Sequence, residues 1–150
     1  MAHIFQINTS PGGLPKLPQT EALISELFVG EDRHNYKGHG GLDAAVCLYS
    51  LEVITALQEE GHPVFPGALG ENLTITGINW YKIKMGTKFK IGDEVLLEVT
   101  SFAAPCSKLE PYLNDILRVS HARFPGWGRP YCRVLQTGTV QIGDTVKIIA

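Results

Sequence analysis

The chain has 150 residues, 44% of them apolar and 19% charged, with a formal net charge of −2. That is an ordinary composition for a soluble globular protein with a real core, and it leaves no global field to gather nucleic acid or a membrane surface. No apolar run approaches the roughly 20 residues that span a bilayer, and Met1-Ala2-His3-Ile4-Phe5-Gln6 lacks the basic-then-apolar pattern of a leader. The expectation is one domain over residues 1–150, without nucleic-acid or membrane partners.

The elements follow from hydrophobic spacing. Sixteen glycines separate short β-branched runs, which predicts a mostly β fold with tight corners. Strands are expected near residues 3–8, 21–28, 44–49, 72–76, 94–101, 131–136 and 145–149. A helix is expected over about 50–60, where Ser50 can cap and Val53, Ile54 and Leu57 recur at helical spacing. A second is expected over about 108–118 from Leu109, Leu113, Ile116 and Leu117, with Pro111 in its first turn. Ile91-Gly92-Asp93-Glu94-Val95 is echoed by Ile142-Gly143-Asp144-Thr145-Val146. Both copies read as glycine-permitted turns feeding strands into one barrel-like core.

Three cysteines, Cys47, Cys106 and Cys132, are an odd and widely spaced set without a C-x-x-C pair. They make a poor disulfide framework or zinc site, and a reducing cytoplasm is expected. Cys47 and Cys132 sit inside apolar runs and read as core. Cys106, in Pro105-Cys106-Ser107-Lys108, lies between a predicted strand and a predicted helix. The positive helix end and the Lys108 ammonium would lower its pKa and make it a nucleophile or soft-metal ligand, whereas a small core residue is the plain alternative.

Two further segments read either way. His39-Gly40-Gly41 offers a histidine beside backbone that a ligand can approach closely, or it is only a tight turn. Glu71 and Asn72 offer acceptors and an amide donor suited to the edge of a heterocycle, or ordinary turn chemistry. Lys16, Arg33, Lys108 and Arg133 are the cations available to a phosphate-bearing ligand. No G-x-S-x-G elbow, Walker loop or G-x-G-x-x-G occurs.

Taken in order, these segments resemble the MOSC family, named after the C-terminal domain of molybdenum cofactor sulfurases. The matching pieces are Gly13-Leu14-Pro15-Lys16, His39-Gly40-Gly41 with Ala45-Val46, and Gly70-Glu71-Asn72-Leu73-Thr74. They continue with Ile91-Gly92-Asp93, Pro105-Cys106-x-Lys108, Tyr131-Cys132-Arg133-Val134-Leu135 and Gly143-Asp144-x-Val146. Each motif is weak alone, but the ordered set is specific and runs from about residue 10 to the end. Two departures stand out. Gly30-Glu31-Asp32 replaces the family's Gly-Asp after the second strand, and the C-terminal helical extension of some stand-alone members is not seen.

The resemblance implies a β-barrel of complex topology, similar to the pyruvate-kinase barrel, with two or three short helices. It implies that Cys106 ligates molybdenum or takes part in sulfur transfer, and that Glu71 and Asn72 lie against a molybdenum–pterin cofactor. Lys16, Arg33, His39 and the Gly40-Gly41 backbone would line its phosphate and pterin pocket, with Lys108 and Arg133 as further cations. Pyridoxal phosphate, also associated with the family, is not expected, because the aminotransferase portion of the sulfurases is missing from a chain this short. The implied activity is reduction of small N-hydroxylated compounds such as hydroxylaminopurines or amidoximes. Without a flavin, iron–sulfur or nicotinamide motif, the electrons must come from a separate protein. A cofactor carrier or sulfur-transfer module using Cys106 is the alternative, and a β-barrel interaction module the third reading.

Overall fold

The computed structural model describes residues 1–30, 32 and 41–149. Its strands are β1 (His3–Thr9), β2 (Leu17–Gln19), β3 (Glu21–Ile24), β4 (Val46–Ser50), β5 (Leu73–Thr76), β6 (Lys88–Ile91), β7 (Val95–Phe102), β8 (Pro130–Gln136), β9 (Gly138–Gln141) and β10 (Val146–Ile149). Eight of them form one sheet in the order β10-β6-β7-β8-β4-β5-β1-β2, and β3 pairs with β9. The pairs are antiparallel except β4–β5. A parallel pair needs a crossover, which the helix α1 (Leu51–Glu59) supplies. The fold is mostly β, as the glycine and β-branched pattern predicts.

The ladders do not close this sheet into the barrel that the resemblance implies. The N-terminal half of β1 meets the β10 side through one isolated bridge, His3 to Thr145, flanked by Ile4 N–H donating to Asp144 O (2.9 Å) and Val146 N–H to Ala2 O (3.0 Å). The rest of that edge of β1 is taken by β2, which pairs with Ile7–Thr9. The opposite edge belongs to β5.

Alternation places the core. Val95, Leu97 and Val99 of β7 and Phe89 and Ile91 of β6 point inward, while β4 is buried throughout. The helix α1 lays Val53, Ile54 and Leu57 against this core, and Ser50 caps it by accepting the Val53 N–H at 3.2 Å. Loss of that cap would cost about 1 kcal/mol.

The second predicted helix is not one. Residues 108–118 form a 3-10 turn at Ser107–Leu109, a single further turn closed by Leu113 N–H to Leu109 O (3.1 Å), and a 3-10 turn at Ile116–Val119. Pro111 removes one donor, and two local competitors take the others. Asn114 N–H is claimed by His62 Nδ1 at 2.9 Å, and Asp115 accepts from Leu117 N–H at 3.0 Å. Among the described residues α1 is the one α-helix.

Other predicted bounds shift for local reasons. The strand expected over 21–28 stops at Ile24, because Ser25 closes a turn onto Phe28. The short strands β2, β6 and β9 went unpredicted. The two Ile-Gly-Asp turns do lie side by side, with Gly92 N–H donating to Thr145 O at 2.8 Å. Gly92 has φ 59°, in the left-handed region that favours glycine, and a Cβ there would stand 3.0 Å from the Asp144 carboxylate, which would have to shift.

Candidate active site around Cys106

A cleft of about 390 Å³ opens where β7 and β8 meet the loops. Its walls are the end of β7 and the following turn (Phe102 to Cys106), Arg129 and Tyr131 at the start of β8, Gly13 to Lys16, and Leu69-Gly70. Volume and mixed lining fit a small-molecule site.

Cys106 is exposed on this cleft, while Cys47 and Cys132 are buried. Burial pushes the Cys47 thiol up to about 11 and raises Cys132 as well, so both are inert protonated thiols. The reason expected for Cys106 reactivity needs correcting. It heads a three-residue 3-10 turn, not a helix, and makes no side-chain cap bond. So short a turn aligns too few peptide dipoles to act as a helix N-terminus. What remains is solvent access and Lys108, which lines the same cleft.

Arg129 is the residue that sequence reading missed. It is only 5% exposed, lines the cleft, and donates from one terminal nitrogen to Leu69 O at 2.6 Å. Its own carbonyl accepts from Ala103 N–H at 2.8 Å, which ties its backbone to the Cys106 turn. Its Nε is buried with no hydrogen-bond partner among the described residues. A buried guanidinium with an open donor costs roughly 1–3 kcal/mol until an acceptor arrives. The only sequence signal was an arginine placed between Gly128 and Pro130, outside any alternating run.

Lys16 also lines the cleft, but its charge is spoken for. Its Nζ lies 2.7 Å from Asp32 Oδ2, with both side chains buried. The Asp32 carboxylate further accepts from Ser10 N–H (2.8 Å) and Asn72 Nδ2 (2.9 Å). Asn72 spends its remaining capacity on Cys47 N–H (2.9 Å) and Asn8 O (3.3 Å). Asn72 therefore stands behind the cleft wall, holding β1, β4 and the Asp32 segment together. Asp32, displaced by one residue from the family spacing, is the hub of this network.

Glu71 is likewise fully buried beside the wall residue Gly70. One carboxylate oxygen accepts the Thr74 hydroxyl at 3.0 Å, and the other has no partner among the described residues. Burial raises its pKa above the usual carboxylate range, with the Gly67 N–H and the Arg129 charge among the groups opposing.

Arg133 points elsewhere. Its register partner on β7 is Glu98, and the two join across the strands on the outer face, Nε to Oε1 at 2.7 Å, with Asp43 3.8 Å away. That face forms a separate groove with Met85 and Gly86. Gly41 is exposed with φ 84° and starts a 3-10 turn, Leu42–Ala44, whose last residue reaches the cleft. Arg33, His39 and Gly40 lie outside the described residues. The structure thus brings Lys16, Cys106 and Lys108 to one cleft and keeps Glu71, Asn72 and Arg133 off its surface.

The outer wall is braced by aromatic packing. Phe102, a lining residue, stacks on His121 with ring centroids 3.6 Å apart and planes 3° from parallel. Arg118 lies over the Trp127 ring (3.8 Å) while gripping Glu60 at the end of α1 with two bonds of 2.9 and 2.8 Å. The segment between Cys106 and Arg129 is therefore pinned at both faces.

Comparisons with known proteins bear on the family and the fold. A family model described as MOSC domain matches residues 35–147. The uncharacterized protein YflK of Bacillus subtilis (strain 168) is 31% identical over 144 residues, covering 92% of this chain and 63% of YflK. A protein named Reductase from Gibberella moniliformis is 34% identical over 125 residues, which is 79% of this chain and 22% of that one. The chain thus spans less than two thirds of the length of these relatives. Among solved structures, YiiM from Geobacillus stearothermophilus has the same fold with a TM-score of 0.77 at 24% identity, covering all of this chain and 76% of that one. With the family model matched across most of its length, the chain belongs to the MOSC domain family.

Proposed function

We propose that the Cys106 cleft binds a molybdenum–pterin cofactor and that the protein reduces small N-hydroxylated compounds, with electrons from a separate donor protein. The observation that carries this reading is that one cleft is lined by an exposed thiol and by a buried arginine whose Nε–H has no partner among the described residues. The residues present fit such a group. Among the described residues no three His, Cys, Asp or Glu side chains cluster as a metal site. A metal here would meet the protein through the Cys106 sulfur, and its other donors would come from the pterin dithiolene, a soft set suited to thiolate. Arg129 and Lys108 would hold anionic or acceptor edges of the cofactor, and Phe102 and Tyr131 give it flat apolar walls. When bound, the cofactor supplies the two-electron chemistry.

The reaction breaks the N–O bond, takes up two electrons and two protons, and releases an amine and water. The part left to this chain is to orient the cofactor, to narrow access with the braced wall of residues 102–129, and to keep a cation beside the developing negative charge on oxygen. The relative named Reductase supports the reaction class. Arg129→Gln should lower the pterin and molybdenum content of protein purified from a cofactor-competent host while leaving the fold intact. Parent protein should reduce an amidoxime with methyl viologen as reductant. Parent protein free of molybdenum and pterin would sink the reading. Loaded protein that does not turn over would favour a carrier or sulfur-transfer role, for which the exposed position of Cys106 is well suited.

A further inference from the structure

Five of the thirteen basic side chains crowd one part of the molecule. Lys82 and Lys84 precede β6, Lys88 and Lys90 belong to β6, and Lys147 lies on β10. The other eight cations face fifteen carboxylate side chains in a chain of net charge −2, so the concentration is local. Register sharpens it. Lys147 stands directly opposite Lys90, and Ile149 directly opposite Lys88, on the outward face whose inward partners are Phe89, Ile91 and Val146. Like charges directly opposed across antiparallel strands destabilise a sheet. Among the described residues, Lys84, Lys88, Lys90 and Lys147 make no ion pair. The one carboxylate opposite Lys88 in register, Glu98, is held by Arg133 instead. The other nearby carboxylates, Asp93, Glu94 and Asp144, sit in the two turns at the far end of these strands.

This strip borders a groove that adjoins the cleft. Lys84 begins the turn that carries Met85 and Gly86, where Gly86 N–H donates to Val99 O at 2.8 Å. Met85, Gly86, Glu98 and Arg133 line the neighbouring groove, and Ser101 lines both that groove and the Cys106 cleft. Met85 is 67% exposed and Ile149 is exposed too, so lysines alternate with apolar contact points. Lysine ammonium groups offer charge complementarity to carboxylates, and Met85 and Ile149 add apolar contact. The outward positions of these two strands (Lys88, Lys90, Lys147 and Ile149) hold no aromatic ring on which a base could stack.

We propose that the outer face of β6 and β10, with the Lys84 turn, docks a small acidic electron-carrier protein. Its carboxylates would pair with Lys84, Lys88, Lys90 and Lys147, and Met85 and Ser101 would mark the route toward Cys106. The redox character of the partner rests on the reductase reading above, whereas the surface rests on the lysines alone. The opposed Lys90 and Lys147 are then a local destabilisation kept for encounter, since charge of one sign steers an oppositely charged partner and raises its association rate.

The test uses the cofactor-loaded full chain and a carboxylate-rich plant-type [2Fe–2S] ferredoxin as probe. Its binding to the parent should weaken as ionic strength rises and fall by about tenfold or more in the triple variant Lys88→Glu, Lys90→Glu, Lys147→Glu. Because the triple variant could alter folding, Lys90→Glu alone provides the control. It should bind the ferredoxin more weakly while melting at or above the parent temperature, an outcome that a damaged fold cannot give. Amidoxime reduction driven by methyl viologen should be the same in parent and variants. Absence of ferredoxin binding by the parent, equal binding by parent and triple variant, or salt-dependent binding of a single-stranded RNA in place of ferredoxin would each overturn the docking surface. Lysine-dependent ferredoxin binding without viologen-driven turnover would instead defeat the reductase reading and leave the surface standing.

Discussion

Two polar clusters meet at the cleft, and they are built on opposite rules. In and behind one wall, Lys16, which lines the cleft, and Asp32, Asn72 and Asn8 bind one another and nearby backbone. Across the cleft lining, Arg129 is anchored by one nitrogen and, among the described residues, left open at another, in the same cleft as an exposed thiol. The first cluster uses up its valence on the fold and so makes structure. The second holds valence in reserve, and that reserve is what a ligand can use. Five substitutions would break or sharpen this contrast.

The largest effect is expected in the second cluster. Cys106→Ser keeps the shape but exchanges a soft ionisable sulfur for a hydroxyl that stays protonated near neutral pH. Amidoxime reduction should be abolished with the melting temperature unchanged. The same change at the buried Cys132 should cost about 1 kcal/mol of stability and leave activity per folded molecule intact. Turnover by Cys106→Ser at the parent rate would remove the thiolate from the mechanism.

Behind the wall the effect moves from activity to stability. Asp32→Ala leaves the Lys16 ammonium buried and unpaired and also frees Ser10 N–H and Asn72 Nδ2. Breaking a buried pair in this way is expected to cost roughly 3–5 kcal/mol, read by urea denaturation. A loss below 1 kcal/mol would mean that Lys16 reaches solvent or ligand once released, and that the two clusters are less separate than drawn.

Glu71 lies between the two, buried like the first cluster yet half-satisfied like the second. Its folded pKa is raised by burial, so over the pH range just above the ordinary carboxylate value the native state holds a proton that the unfolded chain has lost. Stability should therefore fall as pH rises through that range toward the folded pKa. Glu71→Gln should flatten this part of the stability–pH curve and raise stability at neutral pH. An unchanged curve would show that Glu71 contributes nothing to it.

The smallest effect is on the outer sheet face. Replacing Lys90 by Glu turns the repulsion with Lys147 into attraction, worth about 0.2–1 kcal/mol in favour of the variant by thermal melting. A loss instead would show that the opposed lysines are already relieved.

How much of this was legible in the sequence follows from how far apart the deciding residues lie. The fates of the three cysteines could be read locally, because Cys47 and Cys132 sit within apolar runs and Cys106 does not. The helix after Ser50 could be read as well, since its cap and its apolar stripe are contiguous. The failed helix at 108–118 turned on His62 taking the Asn114 N–H across 52 residues, which no window of local spacing contains. Arg133 looked like a ligand because nothing nearby in sequence claimed it. Its partner Glu98 is 35 residues away and is fixed only by the β7–β8 register. Lys16 looked available for the same reason, with Asp32 sixteen residues on. Arg129 was passed over because its importance lies in an unmet hydrogen bond, a property that exists only after the chain has closed around it.

The pairing order of the main sheet also bears on how this protein reaches its native state. Strand β1 pairs with β5, about seventy positions later, and touches the turn before β10 close to the other end of the described chain. Strand β4 waits for β8. Few of these ladders are hairpins that can form early and alone, so the closure entropy of long loops must be met before the contacts return it. Such a topology belongs with slow folders, in the millisecond-to-second range. The cleft is assembled from Ala44 and residues 13–16, 69–70, 101–109 and 129–131, so it takes shape only once these distant segments have come together. A nascent or partly unfolded chain would present the Cys106 thiol without the Arg129 guanidinium in a shared cleft, and cofactor capture would report on completed folding.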